Sequence, residues 1–410
     1  MNKRLLAGGL SGNVLEWYDF AVYGYFAAVI GKQFFPTDDS SISLILSLGV
    51  FAIGFLARPA GSIIFGHLGD RIGRKRVLVW STMMMAIPCT MVGLLPTYDT
   101  IGYAAPFLLI AMRLLQGASV GGEFTGSVTY LSEQASPGKK YFYASFTSAG
   151  ALIGVLLGSA LAALINLTLT AEQLADWGWR VPFLLGSLVG VTSMLTRRQM
   201  PDDNVVANSG EEESPILVAI KQHWKLMAIC SGIAIFSAIN FYMVFVYLAT
   251  YMVDVSGMSK AMSLEVNTIS MIVLVPLILC GGYLGDRIGA VKVMLASVIA
   301  MIALAYPLFW MIGHDSVALA LTGQIGLACI IGPYLGVCST YMGSLYDRDI
   351  RMSGLSVSYN ISLALFGGTA PMVAHLLIAD IGPLSTAGYA CFAAIVSGTC
   401  ILLAERMRTQ

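Results

Sequence analysis

Gly66-His67-Leu68-Gly69-Asp70-Arg71-Ile72-Gly73-Arg74-Lys75-Arg76 separates two long apolar stretches, and Gly282-Tyr283-Leu284-Gly285-Asp286-Arg287-Ile288-Gly289 repeats seven of its first eight positions 216 residues later (282 − 66). A charged string held between glycines, set in the short gap between apolar runs and present once in each half, marks a chain built as a doubled membrane unit. The two copies differ at their ends: Ala290 and Val291 stand where the first has Arg74 and Lys75.

Outward from these strings the composition agrees. Of 410 residues 57% are hydrophobic and 11% charged, whereas a soluble domain carries about a quarter charged. The net charge is zero, so no basic surface points to nucleic acid. Seven cysteines lie in apolar stretches without a CxxC pair, which reads as small packing residues rather than metal ligands. No GxxxxGK[ST] or HExxH string occurs and the four histidines are scattered, so neither a nucleotide-driven pump nor a hydrolase is indicated. The expectation is a protein that is not an enzyme and needs no cofactor or metal. The start Met1-Asn2-Lys3-Arg4 imitates a secretory leader, but Asn13, Glu16 and Asp19 interrupt the apolar run, so it reads as a retained first span.

A bilayer core of about 30 Å takes about 20 helical residues, and lipid forces every backbone polar group to be satisfied within its helix. Twelve segments qualify, at about 5–33, 41–68, 76–95, 102–133, 140–167, 179–197, 222–253, 261–284, 290–312, 317–344, 352–378 and 384–405. The predicted fold is an all-α integral membrane protein of two pseudo-symmetric six-helix bundles, 1–200 and 222–410, joined by a cytoplasmic linker over 201–221 whose acidic stretch has little that packs. Positive residues gather in cytoplasmic loops. With both termini inside, only Lys32, Arg180 and Lys260 of the 23 Lys and Arg fall outside, and Arg58 and Arg113 fall within the membrane. Glycines at 150, 154 and 158 on the fifth span, and at 117, 121, 122 and 126 on the fourth, predict close helix contacts.

A charge near the bilayer centre costs at least about 2.5 kcal/mol, so each one marks a candidate functional position. Five occur in mid-span: Glu16 and Asp19 on the first helix, Arg58 on the second, Arg113 and Glu123 on the fourth. Depth, reckoned at about 1.5 Å per residue, pairs Asp19 with Arg113 and Glu16 with Arg58. Glu123 has no evident cation. Three acids against two bases suggest that one carboxylate takes a proton, which makes Asp19, Arg113, Glu16 and Glu123 the candidate proton-coupling residues.

Gly12-Asn13-Val14-Leu15-Glu16-Trp17-Tyr18-Asp19-Phe20, Ala57-Arg58-Pro59, the string at 66–76, Trp177-Gly178-Trp179-Arg180-Val181-Pro182-Phe183, and Ser356-Val357-Ser358-Tyr359-Asn360 with Phe366-Gly367-Gly368 resemble the metabolite:proton symporters of the major facilitator superfamily. The resemblance implies a twelve-helix rocker-switch transporter, working as a monomer in a bacterial inner membrane. Helices 1, 4, 7 and 10 would line its cavity, and its partners would be a small-molecule solute, protons and the lipid bilayer. It also implies proton coupling at Asp19 and Arg113, where Arg113-Leu114-Leu115-Gln116-Gly117 is similar to the Arg-x-x-x-Gly string of related sugar/proton symporters.

The favoured solute is an organic acid. The alternatives are a zwitterion such as proline or glycine betaine, or a proton-exchanging exporter, which the absence of Gly-Pro at Gly154-Val155 disfavours. Candidate solute contacts are Arg58, Arg113, Gln116, Tyr18, Tyr23, Asn240, Tyr247, Gln324, Tyr334 and Asn360; His375 reads as a core histidine. Either arginine suits a carboxylate, and Trp17, Tyr18 and Tyr23 suit a quaternary amine. For the cytoplasmic gate the candidates are Gly66, Asp70, Arg71, Gly73, Arg74, Asp286 and Arg287, with Glu133 and Arg197 resembling the rest of a superfamily charge network. Asp70 is expected to face the positive amino terminus of a neighbouring helix.

Overall fold

The computed structural model describes residues 3–201 and 214–409. Its helices are α1 (Lys3–Phe34), α2 (Ser40–Ile72), α3 (Arg74–Leu94), α4 (Tyr98–Ile101), α5 (Ala104–Glu133), α6 (Lys140–Thr168), α7 (Ala171–Gln173), α8 (Arg180–Arg198), α9 (Pro215–Gln222), α10 (Trp224–Tyr242), α11 (Leu248–Asp254), α12 (Lys260–Ile288), α13 (Ala290–Ile312), α14 (Val317–Gly343), α15 (Arg351–Ser362), α16 (Ala370–Asp380) and α17 (Ser385–Thr409). π-helical turns at Leu174–Gly178, Met243–Tyr247 and Leu363–Gly367 precede α8, join α10 to α11, and join α15 to α16.

Among the described residues ten helices are long and apolar enough to cross a membrane, and the bent pair Ala171–Gly178 with Arg180–Arg198 makes an eleventh. The twelfth expected span is α1, whose 32 residues reach about 48 Å at 1.5 Å per residue. Its apolar character is lowered by Asn13, Glu16 and Asp19, all of them buried.

The repeated string has a backbone meaning. Gly73 (φ 104°, ψ 147°) ends α2 and opens α3, and Gly289 (φ 94°, ψ 138°) does the same between α12 and α13. A left-handed φ is open to glycine without a steric penalty, so each single residue reverses the chain where no longer loop is present.

Two compact units emerge, Met1–Tyr130 with Gly150–Ser209, and Leu131–Ala149 with Gly210–Gln410. In the first, a Cβ on Gly117 would run into the backbone of Gly54, and one on Gly121 into that of Arg58 and Ser62, so α2 and α5 meet backbone to backbone. Gly150, Gly154 and Gly158 bring α6 equally close to α1 at Leu10, Val14 and Tyr18. The aromatic core of this unit is built from Tyr18, Tyr23, Phe26, Phe34, Trp179 and Phe183. Next to it Arg180 donates to the carbonyls of Gly93 (3.0 Å) and Leu95 (2.6 Å), satisfying acceptors that the end of α3 leaves open. In the second unit, Gly281 and Gly336 allow the same close approach of α12 and α14.

Of the expected linker, residues 202–213 lie outside the described residues, and Pro215–Gln222 forms α9 with Pro at its first turn. The cysteines depart from expectation: Cys89, Cys230 and Cys338 are buried, but Cys280 and Cys329 are exposed. A membrane span has an apolar outer face as well as an apolar core, so an apolar setting in sequence does not imply burial.

Candidate functional site

Apart from Asp70 and Arg74 at the Gly73 turn, the buried charges among the described residues of the first unit lie on four helices: Glu16 and Asp19 on α1, Arg58 on α2, Arg113 and Glu123 on α5, Arg197 on α8. They form three ion pairs that differ in how completely they are bonded.

Asp19 is held from two sides. Arg113 Nη1 donates to Oδ2 at 2.6 Å and Gln116 Nε2 to Oδ1 at 2.9 Å, while Arg113 Nη1 also reaches Gln116 Oε1 at 2.6 Å. Arg113 and Gln116 are one turn apart on α5, so a single helical face presents both donors. The Arg113 guanidinium lies 4.0 Å from the ring centre of Tyr23 and 5.3 Å from that of Phe20, distances suited to cation–π attraction. Its Nε and Nη2 have no hydrogen-bond partner.

Glu16 and Arg58 are held more loosely. Their approach is 3.7 Å, an ion pair beyond hydrogen-bond length, and Glu16 Oε2 and Arg58 Nε and Nη2 are unpartnered. Around Arg58 stand Phe55 (4.4 Å), Phe20 (4.9 Å) and Trp17 (5.7 Å). Phe20 therefore touches both guanidinium groups.

Glu123 corrects the sequence-based expectation that it lacks a cation. Arg197 donates to both of its carboxylate oxygens, Nη1 to Oε2 at 2.7 Å and Nη2 to Oε1, and Ser81 and Ser127 donate as well. The rest of Arg197 is spent on the carbonyls of Gly8 (3.0 Å) and Leu78 (2.6 Å) and on Thr82 Oγ1. Arg197, expected in a cytoplasmic charge network with Glu133, has a fully buried side chain. The cause is α1: a Cβ on Gly12 would collide with both Arg197 and Glu123, so glycine here opens the space the pair fills. Three acids thus face three guanidiniums, and the excess of acid inferred from sequence disappears.

The remaining candidates scatter. Tyr18 donates its hydroxyl to the Pro182 carbonyl at 2.7 Å and packs in the aromatic core with Trp179 and Phe183. Tyr23 donates to the Ser47 carbonyl at 3.1 Å while its ring faces Arg113. In the second unit Asn240 and Asn360 donate to carbonyls of their own helices, at Phe236 and Ser356, and Tyr334 donates to the Ile233 carbonyl at 2.7 Å. Tyr247 bonds His375 at 3.1 Å. His375 is exposed, a correction to its reading as a core histidine; α16 carries one face outward.

Gln324 brings in a residue the sequence analysis missed. It donates to Asn267 Oδ1 (2.7 Å) and to the Val244 carbonyl (3.0 Å), and Asn267 donates to the Phe245 carbonyl (3.1 Å). Val244 and Phe245 lie in a π turn, which displaces carbonyls from the regular ladder and leaves them to side chains. The signal available in sequence was an amide on each of two neighbouring spans; the π turn was not visible.

At the repeated strings, Asp286 makes a contact of the kind expected of Asp70, accepting from the backbone N–H groups of Tyr141 (3.0 Å) and Phe142 (2.9 Å) in the first turn of α6. Asp70 accepts from Arg74 at 3.2 Å across the Gly73 turn. Glu133 pairs with Arg351 at 2.8 Å. Gly66 and Gly73 are buried, and Arg71 and Arg287 are exposed.

A chain of repeated apolar helices that buries three ion pairs among its spans has the make-up of a multi-pass membrane transporter. Residues 10–344 match the family model of the Major Facilitator Superfamily, and the chain belongs to that superfamily. Among curated relatives, a putative proline/betaine transporter of Staphylococcus aureus (strain COL) is 36% identical over 394 residues, 94% of this chain and 84% of that one. The proline/betaine transporters of Salmonella typhimurium and Escherichia coli K12 are 32% and 31% identical, over 92% and 97% of this chain and 78% and 82% of theirs. Among solved structures, the proton:xylose symporter XylE bound to 6-bromo-6-deoxy-D-glucose superposes with a TM-score of 0.77 at 15% identity, covering 98% of this chain and 95% of that one. The outward conformation of the transporter FucP gives 0.69 at 15% identity over 98% of each. These are membrane transporters, not enzymes, and the solved structures establish the fold.

Proposed function

We propose that this transporter is a proton-coupled symporter importing a small zwitterion such as proline or glycine betaine. The observation that carries the reading is the Asp19–Arg113–Gln116 cluster: a carboxylate buried between α1 and α5, whose protonation would free a guanidinium already half unpaired and alter which helix arrangements are stable. Such a group links proton uptake to helix movement by its charge alone. Three relatives named for proline and betaine favour the zwitterion, and the aromatic rings around both arginines suit a solute with a cationic end. An organic acid, favoured from sequence, draws no such support. In this reading bundles 1–200 and 222–410 alternate access across a bacterial inner membrane, with both termini cytoplasmic.

Purified protein in proteoliposomes tests it. An imposed inward proton gradient should drive concentrative uptake of labelled proline or glycine betaine, and a protonophore should abolish it. Uptake of citrate or 2-oxoglutarate instead would overturn the zwitterion, and gradient-independent uptake would overturn the coupling.

A further inference from the structure

The three ion pairs buried within the spans of the first unit, among the described residues, should be bonded alike if their only task were to neutralise one another. They are not. Arg197 has a partner for every nitrogen, and Asp19 has one for each oxygen although Arg113 leaves Nε and Nη2 open; Arg58, 3% exposed, also leaves Nε and Nη2 open and approaches Glu16, 1% exposed, only at 3.7 Å, so theirs is the pair of the three whose closest approach exceeds hydrogen-bond length. A guanidinium presents a planar fork of donors that matches a carboxylate two bonds at a time, and here the fork is unfilled. Three aromatic rings surround it, from Trp17, Phe20 and Phe55.

We propose that Arg58 anchors the carboxylate of the transported solute, that Glu16 holds that place while no solute is bound, and that Trp17, Phe20 and Phe55 receive the solute's cationic end. This deepens the symport reading above and rests on it. A zwitterion such as glycine betaine carries both groups needed: a carboxylate for the fork and a quaternary ammonium for the ring faces. When the solute's carboxylate takes Arg58, Glu16 is left as a buried carboxylate without its cation, a state relieved by taking a proton from the aqueous side. The charged groups facing Glu16 leave no other remedy. Arg58 comes from α2, Asp19 from the next turn of α1, and Glu123 and Arg197 from α5 and α8. Glu123 and Arg197 hold each other, and Asp19 is held by Arg113 and Gln116. Glu16 would then take up a proton as the solute binds, beside the coupling step at Asp19.

The test uses the purified full-length chain with glycine betaine, proline and choline, the last having the trimethylammonium group but no carboxylate. Binding is read by titration calorimetry at several pH values, and folding by thermal unfolding. E16Q should bind glycine betaine about tenfold more tightly or better, and without the pH dependence of the wild type, because the competing carboxylate is gone. R58K should weaken binding about tenfold, since an ammonium lacks the fork. E16Q/R58Q keeps the buried charge balanced, so it should remain folded while no longer preferring glycine betaine over choline.

A folded double variant that binds glycine betaine as the wild type does overturns Arg58 as the anchor. A folded E16Q with unchanged affinity and unchanged pH dependence overturns Glu16 as the place-holder. If the wild type ignores both zwitterions and binds citrate or 2-oxoglutarate, the zwitterion reading falls, and the same three variants, probed with that acid, support or overturn Arg58 by the same signs. Binding of no carboxylate solute overturns both.

Discussion

Arg197, at the end of α8, and Glu123, in α5, meet through paired hydrogen bonds from one guanidinium to both oxygens of one carboxylate, inside the first unit. Removing either member leaves the other charged and buried, which costs about 3–5 kcal/mol, whereas replacing both with apolar residues of similar size is close to neutral. Glu123→Ala and Arg197→Ala should each lower the unfolding temperature of the detergent-solubilised protein strongly, and Glu123→Leu/Arg197→Met should recover most of the loss. Single variants as stable as the double would show that the pair does not hold α5 to α8.

Gly12→Ala tests how the space for that pair is made. The added methyl meets the Arg197 guanidinium and the Glu123 carboxylate directly, and forcing an extra carbon into a packed interior costs about 1–3 kcal/mol. The same change made with Arg197→Ala should cost much less, because the obstacle has gone, so unfolding free energies of the two changes should be non-additive. Additive losses would place the strain elsewhere.

The sequence disclosed what depends on spacing along one helix and concealed what depends on rotation about it. Glu16 and Asp19 lie one turn apart, Arg113 and Gln116 likewise, and estimates of depth sufficed to set Asp19 opposite Arg113 and Glu16 opposite Arg58. The repeated string at 66 and 282 announced two equivalent chain reversals, and its glycines at 73 and 289 take the same left-handed backbone. Arg197 escaped as the partner of Glu123 because it was counted among the cytoplasmic positive residues at the end of its span. A long side chain can turn back along its helix when a neighbour supplies a glycine gap. Tyr18 was named with Trp17 and Tyr23 as an aromatic surface for a quaternary amine, yet residues along one helix point about 100° apart from their neighbours, and its hydroxyl ends on Pro182. The π turn at Met243–Tyr247 left no mark in a run that is apolar on every side, so the partners of Gln324 and Asn267 were not legible.

Asp19→Asn separates proton coupling from solute movement. The amide keeps the size of the carboxylate and an acceptor for Arg113, but it carries no charge to be titrated. Solute uptake driven by a more acidic exterior should be lost, because protons entering with the solute supply the driving force, while exchange of labelled for unlabelled solute at equal pH persists. Retained gradient-driven accumulation would move the coupling step to another carboxylate, and loss of exchange as well would make Asp19 a structural residue.

Asp286→Ala addresses the second copy of the repeated string. Its carboxylate accepts from the Tyr141 and Phe142 amides, two of the donors that the first turn of α6 cannot satisfy within the helix, and its charge lies at the positive end of that helix. Losing a side-chain cap of this kind costs about 0.5–2 kcal/mol. Hydrogen exchange should therefore quicken at the Tyr141 and Phe142 amides before any global loss of stability appears, while the Asp70–Arg74 contact of the other copy is unaffected. Asn retains an oxygen acceptor without the charge, so Asp286→Asn should fall between the wild type and Ala if both terms matter. An Asn variant indistinguishable from wild type would assign the contact to hydrogen bonding alone, and unchanged exchange in the Ala variant would remove Asp286 from the anchoring of α6.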